Sequence, residues 1–394
     1  MDAKTSVRQS PLQKGEKKQH SSLRKLAKII LIIFLIILGC GVLFLVSWAL
    51  PWGYSSTIAG YAPIDGAAGA TVDSYVDDEG RLNFIKADGK DFVVMDITDV
   101  HLGCSPYTVK EDKLAMQAIH KLADSIKPDL IVVTGDCIYS APTMGSLSSG
   151  HSQKVFASFM ETLGIPWTVT FGNHESEVYA FASREKMGKI LESDEYKNCV
   201  FTSGPQELTG IGNQVIIVRN NDENKTVNQV LMLLDSNDYT GVISNYDSIH
   251  KNQIEWYKSV ISSIATQENR TVREIGSLAF FHIPVTEYET AYDEGKIIFG
   301  TKNEPVCHPA NTDEDVFFSE MQKFGSTRAM FAGHDHTNNY QAEYQGILLT
   351  YSLSIDYVAY KDIDKTDEYR GATVVNIKSD NTFSVSQCHY GDIK

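Results

Sequence analysis

FVVMDITDVH, Phe92–His101, is the stretch on which the fold turns. Its first six residues form an apolar run too short for a helix and bounded by polar residues, which reads as a buried strand. Asp99 and His101 stand just beyond its end. Downstream, Leu114, Ala118, Ile119, Leu122 and Ile126 recur at helical spacing and Pro128 stops the helix. LIVVT (Leu130–Thr134) is a second strand, Gln153–Leu163 a second helix, and WTVTF (Trp167–Phe171) a third strand. Strand–helix–strand–helix order implies parallel pairing through helical crossovers. QVIIV (Gln214–Val218), QVLMLLD (Gln229–Asp235), SLAFF (Ser277–Phe281) and RAMFA (Arg328–Ala332) continue the strands, and Ile254, Trp256, Val260, Ile261 and Ile264 mark an amphipathic core helix. ILLTYSL and ATVVNI read as antiparallel and hairpin-rich. The fold class is α/β, a mixed sheet or pair of sheets flanked by helices.

Toward the N-terminus the character changes. Ile29–Leu50 contains no charged residue, and a helix of that length spans roughly 33 Å, enough for a hydrocarbon core of about 30 Å. Trp48 and Trp52 lie at its far end, where indoles favour an interface. Lys4, Arg8, Lys14, Lys17, Lys18, Arg24, Lys25 and Lys28 precede it, against Asp2 and Glu16. The positive-inside rule then leaves the N-terminus in the cytoplasm and exports the chain beyond the apolar stretch, as a single-pass cell-membrane protein; a cleaved signal peptide is the rival reading. The division expected is a basic, structureless tail over 1–28, an anchor over 29–50, a Gly/Ala/Ser-rich linker over 51–80 and one domain over 81–394.

The chain of 394 residues carries −15 in all, and +6 over residues 1–28 leaves −21 for the rest. So acidic a body repels nucleic acid, and no nucleic-acid binding is expected. A phosphate substrate stays open, since bound cations invert the local field. Cys104, Cys137, Cys199, Cys307 and Cys388 lie beyond the apolar stretch; an odd number cannot all pair, no C-x-x-C spacing occurs, and the sequence does not choose partners. Two Asn-x-Thr triplets, at Asn224 and Asn269, fit the N-glycosylation pattern.

Five apolar runs end in residues with chemistry to offer: Asp99-Val100-His101, Gly135-Asp136, Gly172-Asn173-His174-Glu175, His282, and Gly333-His334-Asp335-His336. Ends of parallel strands converge on one crevice. Singly, each has an ordinary explanation, a helix cap for Asp99 or a core hydrogen bond for His282. Together they form a donor set of carboxylate, imidazole and amide oxygen, which suits Fe, Mn or Zn. The glycines before Asp136, Asn173 and His334 let the chain turn sharply. Asp335 and Glu175 are candidates for orienting a ligand or for a solvated turn. His308 reads as a surface-loop residue, and Cys104 and Cys137 as small buried hydrophobes.

The order D-x-H, G-D, G-N-H-E, H, G-H-D-H resembles the calcineurin-like metallophosphoesterases, over Phe92 to the C-terminus. GDCIY, GNHE, FFHIP and GHDH resemble the purple-acid-phosphatase-like branch. The resemblance implies a four-layer α/β/β/α sandwich, here preceded by one transmembrane helix, with a dinuclear centre of divalent or trivalent ions. It implies Asp99, His101, Asp136 and His336 at the first ion and Asp136, Asn173, His282 and His334 at the second, Asp136 bridging. His174 would contact the phosphate and assist the leaving group. The implied reaction is hydrolysis of phosphate monoesters, on a small molecule or phosphoprotein, by a hydroxide held between the ions. A phosphodiesterase or nucleotidase would use the same pair, and a non-catalytic ligand-sensing ectodomain is the reading from another class. One departure stands: purple acid phosphatases have D-x-G where this chain has Asp99-Val100-His101, and a metal-binding tyrosine at the position of Tyr139. Either His101 displaces that tyrosine or both coordinate.

Overall fold

The computed structural model describes residues 11–49, 54–140, 145–146, 148–177, 181–241, 245–311, 315–360, 363 and 368–393. The chain divides into two compact units, Met1–Leu50 and Pro51–Lys394.

In the first unit, helix α1 (Pro11–Ala49) contains the stretch Ser22–Val46, mean hydropathy 3.4, long and apolar enough to cross a membrane and with none of it buried. The helix starts at Pro11, so part of the tail expected to lack structure is helical. Proline fits a first helical turn, where its missing N–H has no partner to lose.

In the second unit, α2 (Tyr54–Ile58), β1 (Thr71–Val76) and β2 (Leu82–Lys86) open the domain. The expected linker over 51–80 is thus corrected: from Tyr54 on, it is built into the domain. Tyr54 and Ile64 are buried, Ile58 and Tyr61 pack against the same core, and β1 pairs with β2. Ala68 donates its N–H to Pro128 O and Ala70 to Asp129 Oδ1, both at 2.9 Å. The small residues that suggested looseness permit close docking instead.

Next come β3 (Phe92–Ile97), α3 (Val109–Ile126), β4 (Leu130–Thr134), α4 (Ser149–Thr162), β5 (Trp167–Thr170) and α5 (Arg184–Leu191). The second half holds β6 (Gln214–Arg219), β7 (Val227–Leu233), α6 (Lys251–Gln267), β8 (Gly276–Phe280), α7 (Glu287–Glu294), β9 (Lys296–Phe299) and α8 (Phe317–Phe324). β10 (Thr327–Ala332), β11 (Gln341–Tyr344), β12 (Ile347–Tyr351), β13 (Gly371–Ile377) and β14 (Phe383–His389) complete it.

The strands form two sheets, in the orders β14-β13-β3-β4-β5 and β1-β2-β6-β7-β8-β10-β12-β11-β9. β3, β4 and β5 run parallel, as do β7, β8, β10 and β12. The C-terminal expectation needs one amendment: β11–β12 and β13–β14 are antiparallel hairpins, but β12 lies parallel to β10.

Successive side chains of a strand point to opposite faces, and that period sorts them into layers. Phe92, Val94, Leu130 and Val132 enter a core shared with Leu231, Leu233, Leu278, Phe280, Ala329 and Phe331 of the other sheet. Phe280 and Phe331 stack there, centroids 4.6 Å apart. Met95, Ile97, Ile131 and Val133 face a second core with α3 and α4, while Val230, Met232, Ala279 and Met330 face a third with α6, α7 and α8. Burial on both faces explains why these strands read as unbroken apolar runs. The architecture is a four-layer α/β/β/α sandwich.

Candidate metal centre

The site sits where β3, β4, β5, β8 and β10 end. Asp99, Asp136, His101, Asn173 and His282 are buried, as is His336, while part of His334 reaches the surface. Asp99 Oδ1 lies 3.2 Å from His336 Nε2 and 3.5 Å from His101 Nε2, and those two nitrogens are 3.2 Å apart. Asp136 Oδ2 lies 3.1 Å from His282 Nε2, which is 3.2 Å from His334 Nδ1. The same Asp136 oxygen is 3.6 Å from His101 Nε2, so this one carboxylate faces a donor group on either side. Asn173 gives its amide N–H to Tyr239 Oη at 2.8 Å, leaving its buried Oδ1 without a hydrogen bond. Asp99 Oδ1 is likewise buried, faced by the ring nitrogens of His336 and His101 without a well-formed hydrogen bond to either. Buried polar atoms with no partner are costly, and a cluster of oxygen and nitrogen lone pairs facing one another is satisfied by cations. The donor set fits two transition ions. Cys307, His334 and Asp335 make a further grouping beside it.

Backbone geometry explains how the donors converge. Asp99, His101 and Asp136 each have φ +51°, and His334 has φ +76°, all left-handed. The two loops are laced together: Asp99 N–H donates to Gly135 O (3.1 Å), His101 N–H to Asp136 O (2.9 Å) and Leu102 N–H to Cys137 O (3.1 Å). The role expected for the glycines needs refinement at two positions. Gly172 and Gly333 lie outside the left-handed region and are required for space: a Cβ on Gly172 would sit 2.2 Å from Asp136 Oδ1, and one on Gly333 2.0 Å from Thr98 Oγ1.

Around the donors lies a set of groups that hold their orientation. His282 Nδ1 faces Thr134 O at 2.8 Å and His336 Nδ1 faces Asp356 Oδ2 at 3.1 Å, so each ring, when neutral, would carry its proton on Nδ1 and turn the lone pair of Nε2 toward the centre. Glu175 accepts N–H bonds from Gly172 (2.7 Å), Asp136 (3.2 Å) and Cys137 (2.6 Å), tying the β4 and β5 loops together. Asp335 turns away from the centre to accept from Tyr351 Oη and Cys307 N–H. Asp356 went unread in the sequence; a carboxylate soon after the ILLTYSL strand run was the only signal. Tyr139 lies edge-on to both His101 and His174, at 5.3 and 5.1 Å between centroids. His308 pairs with Glu289 at 2.9 Å, apart from the site.

Opposite charges face one another across the site. Burial works to raise Asp136, yet the facing His282, His174 and His101 hold it far below the carboxylate range. Asp99 is likewise held down, against burial, by His336, His101 and His282. Burial would lower His282, but Asp136 and Asp99 raise it to about 9. His336 is raised well above its usual value, against burial, by Asp99 and Asp356. His334 is pushed down to about 3 by burial and by the His282 charge.

His174 differs from the rest. Its side chain is 24% exposed, at the mouth, with Nδ1 2.7 Å from Glu177 Oε1. Burial opposes its charge, but Asp136 and Glu177 outweigh burial and raise it.

Residues 92–338 match the family model for calcineurin-like phosphoesterases. Probable inactive purple acid phosphatase 29 of Arabidopsis thaliana is 26% identical over 68% of this chain and 73% of its own length. Phosphatase DCR2 of Saccharomyces cerevisiae is 27% identical over 67% of this chain and 47% of that protein. Among solved structures, a dimetal phosphatase from Danio rerio aligns over 76% of this chain and 97% of its own, at 13% identity and a TM-score of 0.46. The chain belongs to the calcineurin-like phosphoesterase family, among purple-acid-phosphatase-like relatives.

Proposed function

We propose that this chain hydrolyses phosphate monoesters at a centre of two transition-metal ions, Fe, Mn or Zn. Asp99, His101, Asp136 and His336 would hold one, and Asp136, Asn173, His282 and His334 the other. The observation that carries the reading is Asp136 Oδ2, 3.1 Å from His282 Nε2 on one side and 3.6 Å from His101 Nε2 on the other. Ions held there supply a water of lowered pKa and offset the charge of a phosphate.

The protein's own residues do the rest. Asp356 and Thr134 O fix the tautomers of His336 and His282. Glu175 holds the Asp136 loop in place through the N–H of Asp136 itself. Glu177 favours a proton on His174, which at the mouth would hand it to the departing alkoxide. Tyr139, edge-on to His101, acts as a wall in this reading; an iron-loaded sample with a visible charge-transfer band would make it a ligand instead.

The names of the Arabidopsis relatives favour a second reading, a metal-holding domain that does not turn over. The filled donor set supports turnover. Metal analysis combined with hydrolysis of 4-nitrophenyl phosphate, bis(4-nitrophenyl) phosphate and a nucleotide panel separates them. Two ions per chain with preference for monoesters is expected. A metal-replete protein that cleaves none of these would leave only the second reading, and diester preference would move the assignment to phosphodiesterase.

The basic residues ahead of the apolar helix support a cytoplasmic N-terminus and an exported domain on a single membrane anchor. Protease added to intact cells should digest the domain, and protection would reverse the topology.

A further inference from the structure

Tyr54 stands five residues beyond the end of α1, yet its side chain is 2% exposed and its hydroxyl donates to Asp112 Oδ2. Asp112, fully buried in the first turn of α3, is a clamp: Oδ1 accepts from Gly103 N–H at 2.9 Å, and Oδ2 from Cys104 N–H at 3.0 Å and Thr108 Oγ1 at 2.9 Å. The amides it holds belong to the loop that carries Asp99 and His101. That loop contains three non-glycine residues in the left-handed region, Asp99 (+51°), His101 (+51°) and Cys104 (+47°). Such conformations are costly for residues other than glycine and persist only where surroundings over-determine them. One side of the loop is fixed by the backbone lacing to residues 135–137. The other side is fixed by Asp112, and Asp112 is capped by Tyr54.

We propose that Tyr54 is a positioning residue for the metal centre. Its hydroxyl locks the Asp112 carboxylate against Gly103 and Cys104, and thereby holds Asp99 and His101 where both address one ion. The segment just after the apolar helix is then part of the centre's supporting structure. The inference rests on the metal-centre reading above.

The test uses the full-length protein in detergent and compares wild type, Tyr54→Phe and Ile64→Ala. Ile64 is buried in the same segment and packs in the same core, but the carboxylate clamp does not involve it. Tyr54→Phe keeps the ring and removes the donor. It should weaken uptake of one of the two ions by about 10- to 100-fold, as loss of a group orienting a ligand does, while melting close to wild type. Stoichiometry after gel filtration in metal-free buffer then falls from two toward one. Ile64→Ala should lower the melting temperature with both ions retained. Wild-type metal affinity in Tyr54→Phe overturns the proposal, as does equal metal loss in Ile64→Ala, which would mean packing alone matters. A wild-type protein that takes up no metal overturns the metal-centre reading itself, before any variant is made.

Discussion

Replacing Gly172 by alanine tests the centre without touching any donor. The new Cβ would lie 2.2 Å from Asp136 Oδ1, 2.6 Å from Asp136 N and 2.8 Å from Asp136 Cγ, where real Cβ atoms keep at least 3.0 Å. The carboxylate must therefore retreat by 3.0 − 2.2 = 0.8 Å or more, and the backbone N–H contact means the β4 loop has to move with it. Misplacement on the order of 1 Å costs about 100-fold in rate, and overpacking a buried site costs about 1–3 kcal/mol in stability. The expected variant is folded, melts a few degrees lower, holds less than two ions per chain and loses about two orders of magnitude in kcat/KM. Gly150→Ala is the control: its nearest neighbour would be Ile190 Cδ1 at 3.4 Å, so metal content and rate should stay at wild type. Metal analysis, 4-nitrophenyl phosphate kinetics and thermal melts read all three quantities. A Gly172→Ala protein with two ions and full activity would refute the reasoning.

Asp136→Asn should abolish paired metal binding and turnover together, read by metal analysis beside rate; two bound ions in that variant would remove Asp136 as the bridge. His174→Gln should keep both ions and lose about 10²- to 10⁴-fold in kcat on an alkyl phosphate, and full activity there would end the leaving-group role. Metal binding should release protons below about pH 9, because His282, raised to about 9 in the metal-free protein, must bind as the neutral ring; calorimetry in buffers of different ionisation enthalpy measures this, and no buffer dependence would contradict it. The same histidine makes stability depend on pH. A raised histidine contributes fully below its unfolded value of about 6.5, and the contribution is lost as pH rises through about 9. The chelated protein should therefore melt lower at pH 10 than at pH 6.5, and metals should flatten that fall; identical curves with and without chelator would count against it.

Much of the architecture was legible in the chain itself. FVVMDI, LIVVT and WTVTF are buried on both faces, so hydrophobic runs alone located the parallel strands, and the candidate ligands lie just past them. Asp356 was not legible, because its link to His336 depends on how the chain after β12 folds back, and no local pattern encodes that. The segment 54–80 misled for a related reason: small residues signal flexibility when counted, but packing opportunity when Tyr54 and Ile64 meet a core formed by α3 and α4. Gly172 and Gly333 could be read as turn residues from sequence, whereas their need for space depends on side chains 36 and 234 or more positions away. The pairing of β12 with β10 was also out of reach, since the same apolar run serves a hairpin and a parallel neighbour.

The left-handed residues at 99, 101, 136 and 334 narrow what could ever occupy those places. Aspartate and histidine are among the few side chains that tolerate that backbone region, and they are also the ones that offer oxygen or nitrogen to an ion. Two independent filters, one steric and one chemical, therefore select the same small alphabet. A glycine would satisfy the first and fail the second; a glutamate could bind a cation but would resist the bend. Drift at these positions is hemmed in twice over.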